Sequence, residues 1–70
     1  MLTFELSDSA DELHIHLDED GLRKLVEAIG RLAPGDHEQF MTPRWGGTEL
    51  TEQTQSDTTT LLNKVTMHHW

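Results

Sequence analysis

Residues 13–32 read LHIHLDEDGLRKLVEAIGRL, and the spacing of their apolar side chains changes once, near Asp18. Over residues 12–17 apolar and polar residues alternate. A period of two is that of a half-buried strand. It places Leu13, Ile15 and Leu17 on an inner face and Glu12, His14 and His16 on an outer one. Beyond Asp18, Leu22, Leu25, Val26, Ile29 and Leu32 follow the i, i+3, i+4, i+7 spacing of an amphipathic helix. The spacing predicts a helix over residues 19–33. Asp18 is its N-cap, Glu19 and Asp20 sit at the positive end of its dipole, and Arg31 lies near the negative end. Pro34-Gly35 stops it. Gly30, inside the last turns, costs up to roughly 1 kcal/mol against alanine.

On the N-terminal side, residues 2–6, LTFEL, alternate in the same way, with Leu2, Phe4 and Leu6 facing in and Thr3 and Glu5 facing out. Ser7-Asp8-Ser9-Ala10-Asp11 is turn chemistry, so the two alternating runs form an antiparallel hairpin. On the C-terminal side, residues 38–42, EQFMT, are a short strand closed by Pro43, and Trp45-Gly46-Gly47 demands an irregular loop. From Thr48 to Thr60 only Leu50 is apolar. That stretch is expected to be a mobile loop that buries nothing further. Residues 61–70, LLNKVTMHHW, alternate again, with Leu61, Val65 and Met67 inward and Asn63 out of pattern.

The expected architecture is a single α+β domain, β-β-α-β-β, over residues 1–70. A connection through one helix sets strands two and three parallel. Strand four, antiparallel to both, fits between them, giving one four-stranded sheet of order 1-2-4-3 with the helix on one face. The other face, carrying Thr3, Glu5, His14, His16, Lys64, Thr66, His68 and Trp70, is left bare.

Composition narrows the function. The chain has 70 residues, no cysteine, and thirteen acids against five lysines and arginines, a formal charge of −8. Nucleic-acid binding needs clustered Lys and Arg and is excluded. No apolar run reaches the roughly 18–20 residues of a membrane span, and the first residues have neither the basic nor the apolar region of a signal peptide. A cytoplasmic protein is expected. No activated nucleophile, phosphate loop or cysteine is present, so no enzyme activity is expected. Residues 1–20 hold seven acids and no Lys or Arg. They are a solvated acidic surface or a steering face for a cationic partner.

Two constellations are set aside. His14 and His16 share one strand face, and His68 joins them if strands two and four pair; three imidazoles resemble a zinc ligand set. No carboxylates are placed to orient them, so no metal or other cofactor is expected. Residues 16–27 partly match a calcium loop through Asp18, Asp20, Gly21 and Glu27. His16 stands where a hard cation requires oxygen, and the acids are explained by helix capping.

The most individual segment is GDHEQFMTPRWGGTELTE, residues 35–52. Trp and Arg are enriched at binding hot spots, and here both lie in a glycine-containing loop. Trp45 either folds back to cap the core or is displayed to a partner. The segment, with LHIHLDEDGLRKLVEAIGRL before it and LLNKVTMHHW after it, resembles the immunity-protein family numbered thirty-two of bacterial polymorphic toxin systems. The resemblance covers residues 13–70, and the string MTPRWGG, Met41 to Gly47, is its most specific part. Phe40 stands where the family pattern has Leu, and His68-His69 replace an aromatic and an apolar residue. The resemblance implies a small cytoplasmic protein that neutralises a toxin by binding it.

The leading expectation is therefore an immunity protein that occludes the active site of a cognate toxin, a basic nuclease being one such partner. Met41, Pro43, Arg44, Trp45 and Glu49 of the loop, with His14 and His16 of the outer strand face, are the expected contact residues. The alternative is a metal- or pH-responsive regulatory protein built on the five histidines. A thin core with one bare sheet face also predicts a homodimer.

Overall fold

A computed structural model describes residues 1–70. The element order is β1 (Leu2–Ser7), β2 (Leu13–Leu17), α1 (Glu19–Arg31), β3 (His37–Met41), a 3-10 turn (Pro43–Trp45), β4 (Thr59–Leu61) and β5 (Lys64–His68). The chain is a small α+β domain with one helix and antiparallel sheets. The β1–β2 hairpin forms as expected, with Phe4 opposite Ile15 and Glu5 opposite His14. Asp18 caps α1, its carboxylate accepting the Gly21 N–H at 2.9 Å. The same carboxylate meets the N-terminal ammonium of Met1 at 2.7 Å. The helix ends at Arg31, and Leu32 turns to extended backbone ahead of Pro34.

The single four-stranded sheet is corrected to two sheets, β2-β1-β4 and β3-β5. The last strand is broken at Leu62-Asn63, the point where its alternation fails. Leu62 N–H donates to the Phe4 carbonyl at 2.9 Å and so belongs to the first sheet. The Asn63 carbonyl accepts the Thr42 N–H at 3.0 Å and so belongs to the second. The Asn63 side chain locks the corner by accepting the Thr42 hydroxyl at 2.8 Å. The expected last strand is thus split: β4 pairs with β1, not with β2, β5 pairs with β3, and β1 becomes the centre of its sheet.

The segment 48–60 is also corrected, in that it packs. Leu50 is buried against Leu2, Phe4, Ala28 and Phe40. Thr51 takes the place beside β1 that the departing last strand vacates: its N–H donates to the Leu2 carbonyl at 2.9 Å, and its hydroxyl accepts the Leu2 N–H at 3.2 Å. Thr59–Leu61 pairs with residues 5–7. The face expected to be bare is therefore covered at its centre, and Thr3 and Glu5 are fully buried.

The apolar stripe of α1 does not pack as its spacing predicts. Gly21 and Ala28 are its buried residues, while Leu22, Val26 and Ile29 are exposed. Small side chains let the helix approach closely. A Cβ at Gly21 would overlap the Met1 carbonyl and press on Leu17 Cβ. Positions 24, 27 and 31 turn toward Glu38, Phe40 and Thr48-Glu49, and Arg31 meets Glu38 at 3.6 Å. On the opposite flank, Ile29 lines a hollow with Leu32, Met67, His68 and His69 at the end of β5. α1 approaches β2 where Gly21 lies against Leu17, yet Leu13, Ile15 and Leu17, expected as core, are also exposed. No helix is long and apolar enough to cross a membrane.

Candidate functional site

The loop from Met41 to Leu50 is held at every backbone position that its shape requires. Pro43 opens the 3-10 turn with the backbone angle its ring dictates. Trp45 N–H and Gly47 N–H both donate to the Thr42 carbonyl at 2.9 Å. Gly46 has φ +87°, the left-handed region that glycine enters without strain. Gly47 lies flat on Met41, where a Cβ would overlap the Met41 carbonyl. Glu49 closes the loop, its carboxylate accepting the Met41 N–H at 3.0 Å. That hydrogen bond outweighs partial burial and holds the Glu49 carboxyl below its usual range.

On this frame Trp45 is 56% exposed and does not cap the core. Pro43 and Arg44 are exposed beside it. Arg44 borders a shallow hollow with Glu52, Leu61 and Asn63. Met41 and Glu49 are half-buried and act as the loop's anchors. Five of the expected contact residues are thus brought together in one braced loop.

His14 and His16 lie elsewhere, on β2 in the other sheet. Their rings stack with centroids 6.2 Å apart. His14 Nε2 is 3.0 Å from Glu12. His16 Nε2 is buried without a hydrogen-bond partner and lies 3.9 Å from Glu5. The expected approach of His68 to this pair is corrected: β2 pairs with β1 alone, and His68 sits on β5 beside His37 at 5.9 Å and Trp70 at 6.3 Å. No three His, Cys, Asp or Glu side chains converge on a common point.

Two features were not read from the sequence. One is Glu5, a carboxylate at the centre of the sheet. It accepts the Thr3 hydroxyl at 2.5 Å, the Thr59 hydroxyl at 2.6 Å and the Gln55 N–H at 3.1 Å. Burial pushes its pKa up, but the hydrogen bonds from Thr3, Thr59 and Gln55, with His16 alongside, outweigh it and bring it down to about 2. It is an acceptor that ties the 51–59 segment to β1. Two of its three donors, Gln55 and Thr59, lie about fifty residues away, and the hydroxyl run Thr58-Thr59-Thr60 was the one available signal. The other is the exposed aliphatic face of β2, Leu13, Ile15 and Leu17.

Taken together, the fold and the loop describe a small α+β domain that carries its most distinctive side chains on its surface. No known protein family, no characterised protein and no solved structure matches the chain.

Proposed function

We propose that this chain is an immunity-type protein that binds a protein toxin and covers its active site, with the Met41–Glu49 loop as the principal contact. The reading is carried by the display of Trp45. An indole more than half exposed on a loop fixed by Thr42, Gly46, Gly47 and Glu49 contributes little to the core. Aromatic anchors on pre-ordered backbone lose little entropy on binding, which is the chemistry of an interface hot spot. The charge of −8 supports a basic partner, and a nuclease with a phosphate-binding channel fits that description. The family resemblance of the MTPRWGG string supports the same reading and a cytoplasmic location.

Co-expression with the product of a neighbouring toxin gene tests it. The expected result is a stable complex in pull-down and restored growth of the expressing cells, with Trp45→Ala losing both while remaining folded by circular dichroism. A chain that neither binds nor restores growth refutes the proposal.

A further inference from the structure

We propose that β2 is the surface through which two copies of this chain associate, antiparallel about a two-fold axis at Ile15. β2 is the edge of its sheet. The ends of the β1–β2 ladder fix which backbone groups are free. Asp18 N–H donates to the Met1 carbonyl at 3.2 Å, and Ser7 N–H donates to the Glu12 carbonyl at 3.0 Å. Residues 12 and 18 therefore turn their backbone groups toward β1. Direction alternates along an antiparallel ladder, so His14 and His16 do the same. The N–H and C=O groups of Leu13, Ile15 and Leu17 point to the open edge. Such a row is a template for another strand.

The sequence of β2 is Leu-His-Ile-His-Leu, identical in either direction. Antiparallel pairing centred on Ile15 sets Leu13 against the partner subunit's Leu17, His14 against the partner subunit's His16, and the two isoleucines against each other. A two-fold interface requires this self-complementarity. All three outward-facing residues then meet outward-facing residues, closing about six hydrogen bonds. A shift of two residues in either direction loses some of them.

Side chains add to the backbone term. Leu13, Ile15 and Leu17 form an uncovered apolar floor along the open edge. The axis stands normal to the sheet, so both helices lie on one face and the joined floor runs between them. Pairing the edges sets these three side chains beside those of the partner copy on one face and extends the floor across the axis. One term opposes pairing: the same register sets Glu12 beside the partner subunit's Asp18. Salt screens that repulsion, so salt strengthens the dimer.

The test is sedimentation velocity of the full chain from about 5 to 500 µM, since mass action governs the dimer fraction, at about 0.05 and 0.5 M salt. The expected result is a concentration-dependent dimer that tightens in high salt. Ile15→Lys, which places a charge on the exposed edge, is expected to weaken it at least tenfold without changing the circular dichroism. A second measurement stands independently of that variant's folding. The chain has no cysteine, so Ile15→Cys introduces a single thiol. The paired Cα atoms lie about 5.5 Å apart, within disulfide range. Mild oxidation is expected to cross-link Ile15→Cys far faster than Gln53→Cys on the exposed distant loop. A monomer at all concentrations, a dimer that survives Ile15→Lys, or equal cross-linking of the two cysteine variants overturns the proposal.

Discussion

Glu5→Gln separates the contribution of one buried carboxylate from that of the rest of this acidic chain. Three groups donate to Glu5: the Thr3 hydroxyl, the Thr59 hydroxyl and the Gln55 N–H. Glutamine keeps the shape but offers one acceptor oxygen and turns a donor toward the rest. At least one donor loses its buried acceptor, and the remaining hydrogen bonds lose their ionic partner. An unsatisfied buried donor costs about 1–3 kcal/mol, and hydrogen bonds to a charged group contribute about 1.5–3 kcal/mol each. A loss of about 3 kcal/mol at pH 7 follows, which lowers Tm by roughly 12–24 °C in a domain of this size. The pH dependence carries the sharper signature. The Glu5 carboxyl titrates at about 2 in the fold against 4.5 in its ordinary state. Its folded pKa is depressed, so its stabilisation is complete above about pH 4.5 and is lost as pH falls toward 2. Integrated, that shift is on the order of 3 kcal/mol, consistent with the hydrogen-bond estimate. Acidification also neutralises the other carboxylates, but it does so in both proteins. The difference between wild type and Glu5→Gln in urea unfolding midpoints therefore isolates this group. It is expected to be large and constant from pH 7 to about 5, then to shrink toward zero near pH 2. A variant as stable as wild type at pH 7, or a difference that does not change with pH, refutes this account of the site.

Trp45→Ala is expected to weaken toxin binding by about 2 kcal/mol or more, roughly thirtyfold in Kd, while changing thermal stability by less than about 1 kcal/mol because the indole is more than half exposed; calorimetric titration and a melt of the same samples check both. Two glycines are expected to respond with opposite sign. Gly30→Ala meets open space in the helix and should stabilise by about 0.5–1 kcal/mol, whereas Gly47→Ala drives a methyl into the Met41 carbonyl and should destabilise by about 1–3 kcal/mol; equal urea midpoints refute the loop geometry. Stopped-flow association with the toxin should slow several-fold between about 0.05 and 0.5 M salt with little change in off-rate, and a salt-insensitive on-rate refutes electrostatic steering.

What could be read from the sequence follows the range of the interactions that decide it. The hairpin, the capped helix and the glycine loop are local, and their spacing announces them: Asp18 caps Gly21 three residues on, and Gly46 and Gly47 answer to Thr42 and Met41 a few residues back. The order of strands is a long-range matter, decided between chain segments about fifty residues apart. β1 pairs on its far side with β4, where Thr59 and Gln55 supply what the Glu5 carboxylate needs, and no alternation records that. Alternation also fails to say whether an apolar face is covered. Leu13, Ile15 and Leu17 do lie on the same face as the buried Leu2 and Phe4, as their period requires, yet they remain open. The buried line of α1 runs through the small residues Gly21 and Ala28, and Gly21 lies too close to Met1 and Leu17 for a larger side chain. An apolar stripe therefore survives folding on the surface of a chain that has few apolar residues to spare. Such residues, left beside an unpaired strand edge whose sequence reads the same both ways, are the places where a second polypeptide completes what the first one leaves open.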